Sequence, residues 1–279
     1  MLLKNHPLSE IVPFIDWSFF FASWEITGRY PDIFNHPSKG KLAKELYDDA
    51  QKLLAEIIAH QLLQANAIAV VYPANSKDDD ILLFTDDERT TILATLPQLR
   101  NQERQRDETP NLCLADFVAP IGTKDYIATF ALTTGLGLKA LADRYQAAND
   151  EYSAIMAKAI ANRLAEAFAV YLHHEIAALI GKRENHIGIR AAYGYPACPD
   201  HSSKRDLFDL MNAEQAIGAK LTESYMMVPE SSICGLIITN PAARYFSVGK
   251  IDEEQLHDYA RRKQMPVAQL RKLLAHNLR

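Results

Sequence analysis

The segment GIRAAYGYPACPDH, residues 188–201, is poor in residues that form regular structure but combines an arginine, a glycine between two tyrosines, and two prolines around a cysteine. Arg190 has a planar fork of N–H donors that matches a carboxylate. Gly194 can adopt backbone angles closed to other residues, so the chain can approach a ligand closely. Tyr195 offers a flat apolar face with a polar tip. The alternatives are a surface arginine, a turn glycine and a core tyrosine. Two prolines that follow restrict the segment and lower the cost of ordering it on binding.

A second candidate is Asp16, which stands in the otherwise apolar segment PFIDW, residues 13–17. A buried carboxylate needs a partner, because burying it unpaired is costly. A cation or a hydroxyl group would be such a partner. The alternative is a helix N-cap, since aspartate before an apolar run is a common start signal.

Several familiar cofactor and metal motifs do not occur. The sequence has no glycine-rich dinucleotide or phosphate loop and no H-E-x-x-H pair. The histidines of HHE, residues 173–175, lie in a predicted helix, where neighbours point about 100° apart. This spacing favours a surface position over a metal site. Cys198 and His201 have a metal-like gap, but no second pair of ligands accompanies them. We therefore predict no metal site.

The composition is that of a globular protein. The chain has 279 residues, 48% of them apolar, and a formal net charge of −5. The acidic and basic residues are interspersed, which argues against nucleic acid as the main partner. Three scattered cysteines indicate free thiols in a reducing cytoplasm. The apolar run WSFFFASW is too short to cross a membrane. We expect one cytoplasmic domain over residues 1–279, with no membrane partner.

The elements that must position these candidates follow from hydrophobic periodicity. Three-and-four spacing predicts a long helix over 151–180, ended by Gly181, and further helices over 41–64, 205–217, 252–262 and 266–275. The long helix should bury a stripe that includes Tyr152, Ile155 and Leu179. Apolar runs predict strands over 67–73 (stopped by Pro73), 80–84, 126–134, 220–228, 232–239 and 244–249. Residues 99–111 are predicted as a charged surface loop.

The strands occur in clusters and do not alternate one-for-one with helices. This order predicts an α+β fold with a central, mainly antiparallel, twisted sheet flanked by helices. It excludes a doubly wound, Rossmann-like fold.

The pattern Arg190-x-x-x-Gly194-Tyr195-Pro196, continued by ACPDH, resembles the R-x-x-x-G-Y-P signature of the activation domain of cobalamin-dependent methionine synthase. Further blocks match that family in order along nearly the whole chain: FIDWSFFFASWEITGRYP (14–31), LCLADFVAP (112–120), NRLAEAFAVYLH (162–173), KLTES (220–224), HDYARRKQM (257–265) and HNL (276–278). The resemblance implies that the chain binds S-adenosylmethionine, so that its methyl group can rescue oxidised cobalamin.

The resemblance also implies a set of binding residues. The family aspartate that matches Asp16 contacts the nucleotide ligand, and a family glutamate near the pocket matches Glu166; a solvated helix face is the alternative for Glu166. Tyr245 and Phe246 match a paired aromatic segment of the same pocket. This pair lies on the strand predicted over 244–249, so its two side chains face opposite ways. We then expect Tyr245 to contact the ligand through its side chain, and Phe246 to be a core residue or a backbone contact.

The mechanism implied by the resemblance needs partners. A cobalamin-binding module holds cobalamin, and flavodoxin or an equivalent reductase supplies one electron to cob(II)alamin. This chain contributes proximity and orientation, so no catalytic residue is predicted. The sequence lacks the D-x-H-x-x-G signature of cobalamin modules, so the chain is expected to act as a module or subunit and not to make methionine alone. Basic residues near the C-terminus either steer an acidic electron donor or form a solvated helix face (Arg261, Arg262, Lys263, Arg271 and Lys272).

Four departures from the family pattern concern the docking surface. Tyr193 stands where a smaller or cyclic residue is common, Val228 replaces a tryptophan, and Asn162 replaces an aspartate that meets the cobalamin module. Tyr193 is expected to fill part of the pocket or the corrin-facing surface. The link from Gly181 to Arg190 is also shorter than usual. Two alternatives stay open: an activator of a different corrinoid methyltransferase, and a non-catalytic S-adenosylmethionine sensor.

Overall fold

A computed structural model describes residues 1–104, 110–181 and 188–279. Within these ranges the β-strands are β1 (Leu2–Leu3), β2 (Gln64–Lys77), β3 (Asp80–Phe84), β4 (Ile92–Pro97), β5 (Tyr126–Leu136), β6 (Ile189–Ala192), β7 (Lys220–Leu221), β8 (Met227–Val228) and β9 (Ser232–Ile238). The α-helices are α1 (Leu8–Ile11), α2 (Trp17–Ala22), α3 (Gly40–Ala59), α4 (Leu138–Ala147), α5 (Glu151–Leu179), α6 (Ser203–Met211), α7 (Ala213–Ile217), α8 (Glu253–Lys263) and α9 (Val267–Leu273). The predicted loop 99–111 and the link after Gly181 lie partly outside the described residues.

The described residues form one seven-stranded sheet in the order β4-β3-β2-β5-β9-β6, with β1 added beside β2. Every strand pair in it is antiparallel. The predicted α+β class with a mainly antiparallel sheet is therefore confirmed. Strand β6, which carries Arg190, pairs with β9.

The sheet is packed between two helical layers. Helix α5 lies on one face with α3 and α4, and its Phe168 and Leu164 are fully buried there. Helices α6 and α7 cover the other face, where Leu207 and Ile217 are fully buried. Helices α8 and α9 build a smaller core around Leu256. The two buried faces explain why the central strand β5 reads as a continuous apolar run.

Helix α5 begins where Asp150 accepts a hydrogen bond from the backbone N–H of Ser153, at 3.0 Å, and it ends before Gly181, as predicted. It is rich in alanine and apolar side chains around most of its circumference, as expected of a buried helix. The predicted stripe is wrong at three positions. Tyr152, Ile155 and Leu179 are 45%, 53% and 65% exposed.

Several predicted boundaries are wrong, each for a local reason. Helix α3 ends at Ala59, five residues early, and Gln61 then has a φ of +50°. Strand β2 continues through Pro73, because pairing passes there from β5 to β3, so the missing N–H lies beside one neighbour only. The helix predicted over 205–217 divides into α6 and α7 at Asn212, whose φ is +49°.

The predictions after α7 are less accurate. The run 220–228 forms only the short pair β7–β8, which is separate from the main sheet. Residues 244–249 form no strand. That segment lies outside the sheet, where Phe246 packs against Phe117 and two core clusters. Its apolar residues therefore reflect packing against these clusters and not a β-ladder.

Candidate ligand site

A surface cavity of about 430 Å³ lies between the N-terminal segment, α5 and β6. This volume is within the range of small-molecule sites. Its lining combines apolar or aromatic side chains with charges of both signs: Phe14, Asp16, Phe19, Arg163, Glu166, Ala167, Val170, Arg190 and Tyr195. Four of the seven predicted binding residues therefore line one cavity, although they come from distant parts of the chain.

Asp16 has two functions in this structure. It is the N-cap of α2, because its carboxylate accepts a hydrogen bond from the backbone N–H of Ser18 at 2.9 Å. The N-cap alternative is therefore confirmed. The same exposed side chain also lines the cavity. A carboxylate has capacity for several hydrogen bonds, so capping does not prevent Asp16 from accepting one from a ligand.

Arg190 reaches the cavity from β6. Its guanidinium Nη1 lies 3.0 Å from Nδ1 of His173 on α5. Among the described residues, no carboxylate lies within ion-pair distance of Arg190. Its positive charge is therefore not neutralised by the parts of the chain that the structure shows. A partly buried guanidinium of this kind favours an anionic ligand group such as a carboxylate.

Glu166 and Tyr195 are joined across the cavity. The Tyr195 hydroxyl donates a hydrogen bond to Oε1 of Glu166 at 2.8 Å. Partial burial and the nearby Glu166 carboxylate raise the pKa of Tyr195, so its hydroxyl keeps its proton at neutral pH. The ring of Tyr195 is nevertheless half exposed. It therefore leaves an aromatic face open at the rim.

Gly194 shapes the loop that carries Tyr195. Its φ is +96°, and a β-carbon there would lie only 2.4 Å from Cε1 of His201. The loop is closed by backbone hydrogen bonds from Gly194 to the carbonyl of Cys198 and from Cys198 to the carbonyl of Tyr195, both at 2.9 Å. Only glycine fits both the backbone angle and the space. Gly194 is thus placed beside the cavity as a backbone element.

Tyr245 and Phe246 do not line this cavity. The Tyr245 hydroxyl accepts a hydrogen bond from the backbone N–H of Arg190 at 3.1 Å and lies 3.3 Å from its carbonyl oxygen. Its ring is 61% exposed. Phe246 is half-buried in the core contacts described above. The paired aromatics therefore differ in environment, as expected, but Tyr245 contacts Arg190 from outside the sheet.

Residues that the sequence analysis missed follow helical spacing from Glu166. Arg163 lies three residues before it on α5, and its guanidinium is 6.0 Å from the centroid of the Phe19 ring. His173 lies seven residues after it, two turns along the same face. The predicted surface position of this histidine is wrong: His173 is only 1% exposed. Extending the face of α5 from Glu166 by three, four and seven residues identifies both side chains.

Comparisons with known proteins identify the family of this chain. A family model described as "Vitamin B12 dependent methionine synthase, activation domain" matches residues 7–264. This chain belongs to that family. Its fold is also similar to a crystal structure of the MetH reactivation domain bound to AdoHcy, with a TM-score of 0.93 and 38% identity over 100% of this chain and 90% of that one. Membership implies a partner module that binds cobalamin.

Three departures of this activation domain from the family pattern have distinct environments in the structure. Tyr193 is 4% exposed and packs in the core on the α6 side of the sheet, so the expectation that it fills the pocket or the corrin-facing surface is wrong. Burial also raises its pKa well above the ordinary value. Val228 lines a different and larger groove, of about 700 Å³, which contains none of the predicted binding residues. Asn162 is exposed on α5 and accepts a hydrogen bond from Ser231 at 2.6 Å.

The basic C-terminal surface of the activation domain is largely neutralised. Arg262 is paired with Asp80 and Asp258, and Lys263, which is 4% exposed, is paired with Asp206. Both alternatives are therefore wrong for these two residues, which form neither a steering surface nor a solvated helix face. Arg261 and Arg271 are also in ion pairs with acidic neighbours.

Within residues 1–104, 110–181 and 188–279, no three His, Cys, Asp or Glu side chains form a group that could hold a metal ion. Cys198 is buried, and its thiol contacts the carbonyl oxygen of Ala192. Over the same ranges, no helix combines the length and apolar character needed to cross a bilayer.

Proposed function

We propose that residues 1–279 act as one activation domain that binds S-adenosylmethionine in the cavity lined by Asp16, Glu166, Arg190 and Tyr195. The observation that carries the proposal is the guanidinium of Arg190, which no carboxylate among the described residues neutralises, in a cavity that also contains two carboxylates and exposed aromatic faces. S-adenosylmethionine has a matching set of groups: a carboxylate, an ammonium, ribose hydroxyls and an adenine ring. The AdoHcy found in the related MetH reactivation domain is the demethylated form of the same molecule.

The residues present fit this ligand. Arg190 would bind the carboxylate, and Asp16 and Glu166 would accept hydrogen bonds from the ammonium or the ribose hydroxyls. The hydroxyl of Tyr195 is held by its hydrogen bond to Glu166, which orients the ring. The exposed apolar face of that ring would lie against the ribose or the edge of the corrin. Gly194 would let the backbone of the loop approach the ligand. Tyr245 would act through the backbone of Arg190, and Phe246 through the core that supports this segment.

When bound, S-adenosylmethionine supplies an electrophilic sulfonium methyl group, and its transfer to reduced cobalt on a partner module leaves S-adenosylhomocysteine. The electron needed to reduce cob(II)alamin comes from flavodoxin or an equivalent reductase. The residues of this chain bind and orient the methyl donor, and none of them has to move a proton. The chain therefore depends on its cobalamin-binding partner and does not make methionine alone. The three cysteines are free and buried, which agrees with a role in the reducing cytoplasm.

The first experiment is calorimetric titration of wild type, Arg190→Ala and Arg190→Lys with S-adenosylmethionine. Removal of the guanidinium should weaken binding by about 1.5–3 kcal/mol, the usual contribution of a hydrogen bond to a charged group. Lysine keeps the charge but lacks the fork, so it should restore only part of the affinity. Arg144→Ala is the matched control, because Arg144 is paired with Glu56 far from the cavity. Equal affinity of wild type and Arg190→Ala would exclude Arg190 from the site.

The second experiment separates an activator from a sensor. Wild type is mixed with a cobalamin-binding module in the cob(II)alamin state, S-adenosylmethionine and a one-electron reductant, and the absorption spectrum is followed. The proposal expects conversion to methylcobalamin that depends on Arg190. Binding of S-adenosylmethionine without any conversion, with every corrinoid module and reductant tested, would instead indicate a sensor.

A further inference from the structure

We propose that His173 is a positioning residue that holds the guanidinium of Arg190 in its ligand-binding orientation before the ligand arrives. The inference rests on the proposed function of the cavity. Its basis is the 3.0 Å separation between Nη1 of Arg190 and Nδ1 of His173. His173 is almost completely buried in α5, so its ring is fixed by the surrounding core. A fixed acceptor beneath a flexible cationic side chain is suited to selecting one of its rotamers.

The chemistry of the two groups determines the direction of this hydrogen bond. A guanidinium has five N–H donors and no acceptor, so Arg190 must donate and Nδ1 of His173 must accept. The imidazole is therefore neutral when the bond is formed, with its proton on Nε2. One N–H of Arg190 is used in this way. The remaining N–H groups stay available for a ligand carboxylate, which needs two of them for a bidentate contact.

Arg190 is held at its backbone as well as at its tip. Its backbone lies in β6, opposite Ile237 of β9. On the other edge of β6, the Tyr245 hydroxyl contacts both the N–H and the carbonyl of Arg190. With its backbone fixed from two sides, the long side chain is the part that still has to be ordered. The contact with His173 orders it in advance, which reduces the loss of side-chain entropy on binding.

Two variants of similar size separate this role from a merely structural one. In His173→Asn, the amide oxygen can occupy nearly the position of Nδ1 and still accept a hydrogen bond from Arg190. In His173→Leu, a side chain of almost the same shape has no acceptor. Both variants lose the ring and its packing to a similar degree. A difference between them in ligand affinity therefore reports the acceptor.

The affinity of both variants is measured by calorimetry with S-adenosylhomocysteine and with 5′-methylthioadenosine, which lacks the amino-acid carboxylate. His173→Leu should bind S-adenosylhomocysteine about 3- to 10-fold more weakly than His173→Asn, the effect of ordering one flexible side chain. The two variants should bind 5′-methylthioadenosine equally. The inference is overturned if both variants bind S-adenosylhomocysteine equally, or if the loss is the same for both ligands. In the Arg190→Ala background, exchanging leucine for asparagine should have no effect.

A measurement without ligand tests the contact separately from the proposed function. In ¹⁵N NMR spectra of the free wild-type protein, His173 should be neutral with its proton on Nε2. Arg190→Ala should shift the Nδ1 resonance, because its hydrogen bond is lost. A proton on Nδ1, or an Nδ1 resonance unchanged in Arg190→Ala, would refute the positioning role. Failure of wild type to bind S-adenosylhomocysteine, with the NMR result as expected, would refute only the proposed function.

Discussion

Substituting Gly194 by alanine tests the geometry of the loop that carries Tyr195. Two separate effects should destabilise the variant. The backbone has a φ of +96°, a region that alanine rarely adopts. The new methyl group would also lie 2.4 Å from Cε1 and 2.7 Å from Nε2 of His201. The imidazole cannot easily move away, because its Nδ1 contacts the ammonium of Lys204 at 2.6 Å.

The two effects have different magnitudes. A left-handed backbone costs about 1–2 kcal/mol for a residue with a β-carbon. Forcing an extra methyl group into a packed site costs about 1–3 kcal/mol. The free energy of unfolding of Gly194→Ala should therefore fall by about 2–5 kcal/mol relative to wild type. Binding of S-adenosylmethionine should weaken as well, because the loop must shift.

The assay is urea denaturation followed by circular dichroism, with Gly122→Ala as the matched control. Gly122 has nearly the same φ, +98°, but no atom lies within 4 Å of the position of its β-carbon. It should therefore show the backbone effect alone, a loss of about 1–2 kcal/mol. When His201 is also replaced by alanine, the clash at position 194 is removed. Gly194→Ala and Gly122→Ala should then lower the free energy of unfolding by the same amount. If the two glycine variants are equally stable relative to wild type, the contact with His201 is not what requires glycine at 194.

Three further predictions concern other parts of the domain. Asp16→Ser should keep the N-cap and the stability of wild type but weaken binding of S-adenosylmethionine. Asp16→Ala should weaken binding and also lower the free energy of unfolding, measured by urea denaturation, by about 1 kcal/mol. Equal binding by Asp16→Ser and wild type would exclude the carboxylate from the site. Phe168→Ala empties a fully buried position and should lower the free energy of unfolding by about 3–5 kcal/mol, and a loss below about 1 kcal/mol would contradict that packing. Burial and the charge of Lys204 lower the pKa of His201 below its ordinary 6.5, so the unfolded chain takes up this proton at higher pH than the folded one. The stability of wild type should therefore fall as the pH drops below about 6.5, by more than that of His201→Gln, and parallel pH profiles would refute this assignment.

The sheet and the long helix could be predicted because burial restricts which residue types occur along their whole length. Strand β5 is buried on both faces, so it consists almost entirely of apolar residues and threonine, whereas α5 repeats buried apolar residues at helical spacing. The strands occur in clusters, and this order alone indicated antiparallel pairing. The errors occurred where a local pattern depends on its neighbours. Pro73 breaks a strand only if both sides of the strand are paired at that residue, and the pairing partners are not visible in the sequence.

In the candidate site, too, some residues could be predicted from the sequence and others could not. Arg190, Gly194 and Tyr195 could be singled out from their residue types, since the segment is rich in groups that bind ligands. His173 could be found only by helical spacing from Glu166, because a buried histidine in a helix and a surface histidine look alike in one sequence. Its importance depends on the side chain that lies opposite it, and that side chain, Arg190, belongs to strand β6 and not to the same helix. Tyr245 is a similar case, since its hydroxyl contacts a strand edge that only the folded chain creates.

Three separate stretches of the chain line the cavity: the N-terminal segment, the middle of α5, and β6 with the loop that follows it. No one of these stretches can form it alone, so a ligand in the cavity binds the folded chain and not the unfolded one. A bound ligand should then raise the free energy of unfolding of the whole domain, by about 2.7 kcal/mol when the free ligand is at 100 times its dissociation constant. This should protect the domain from heat and from proteases. The melting temperature of the domain would thus register the supply of methyl donor in its surroundings.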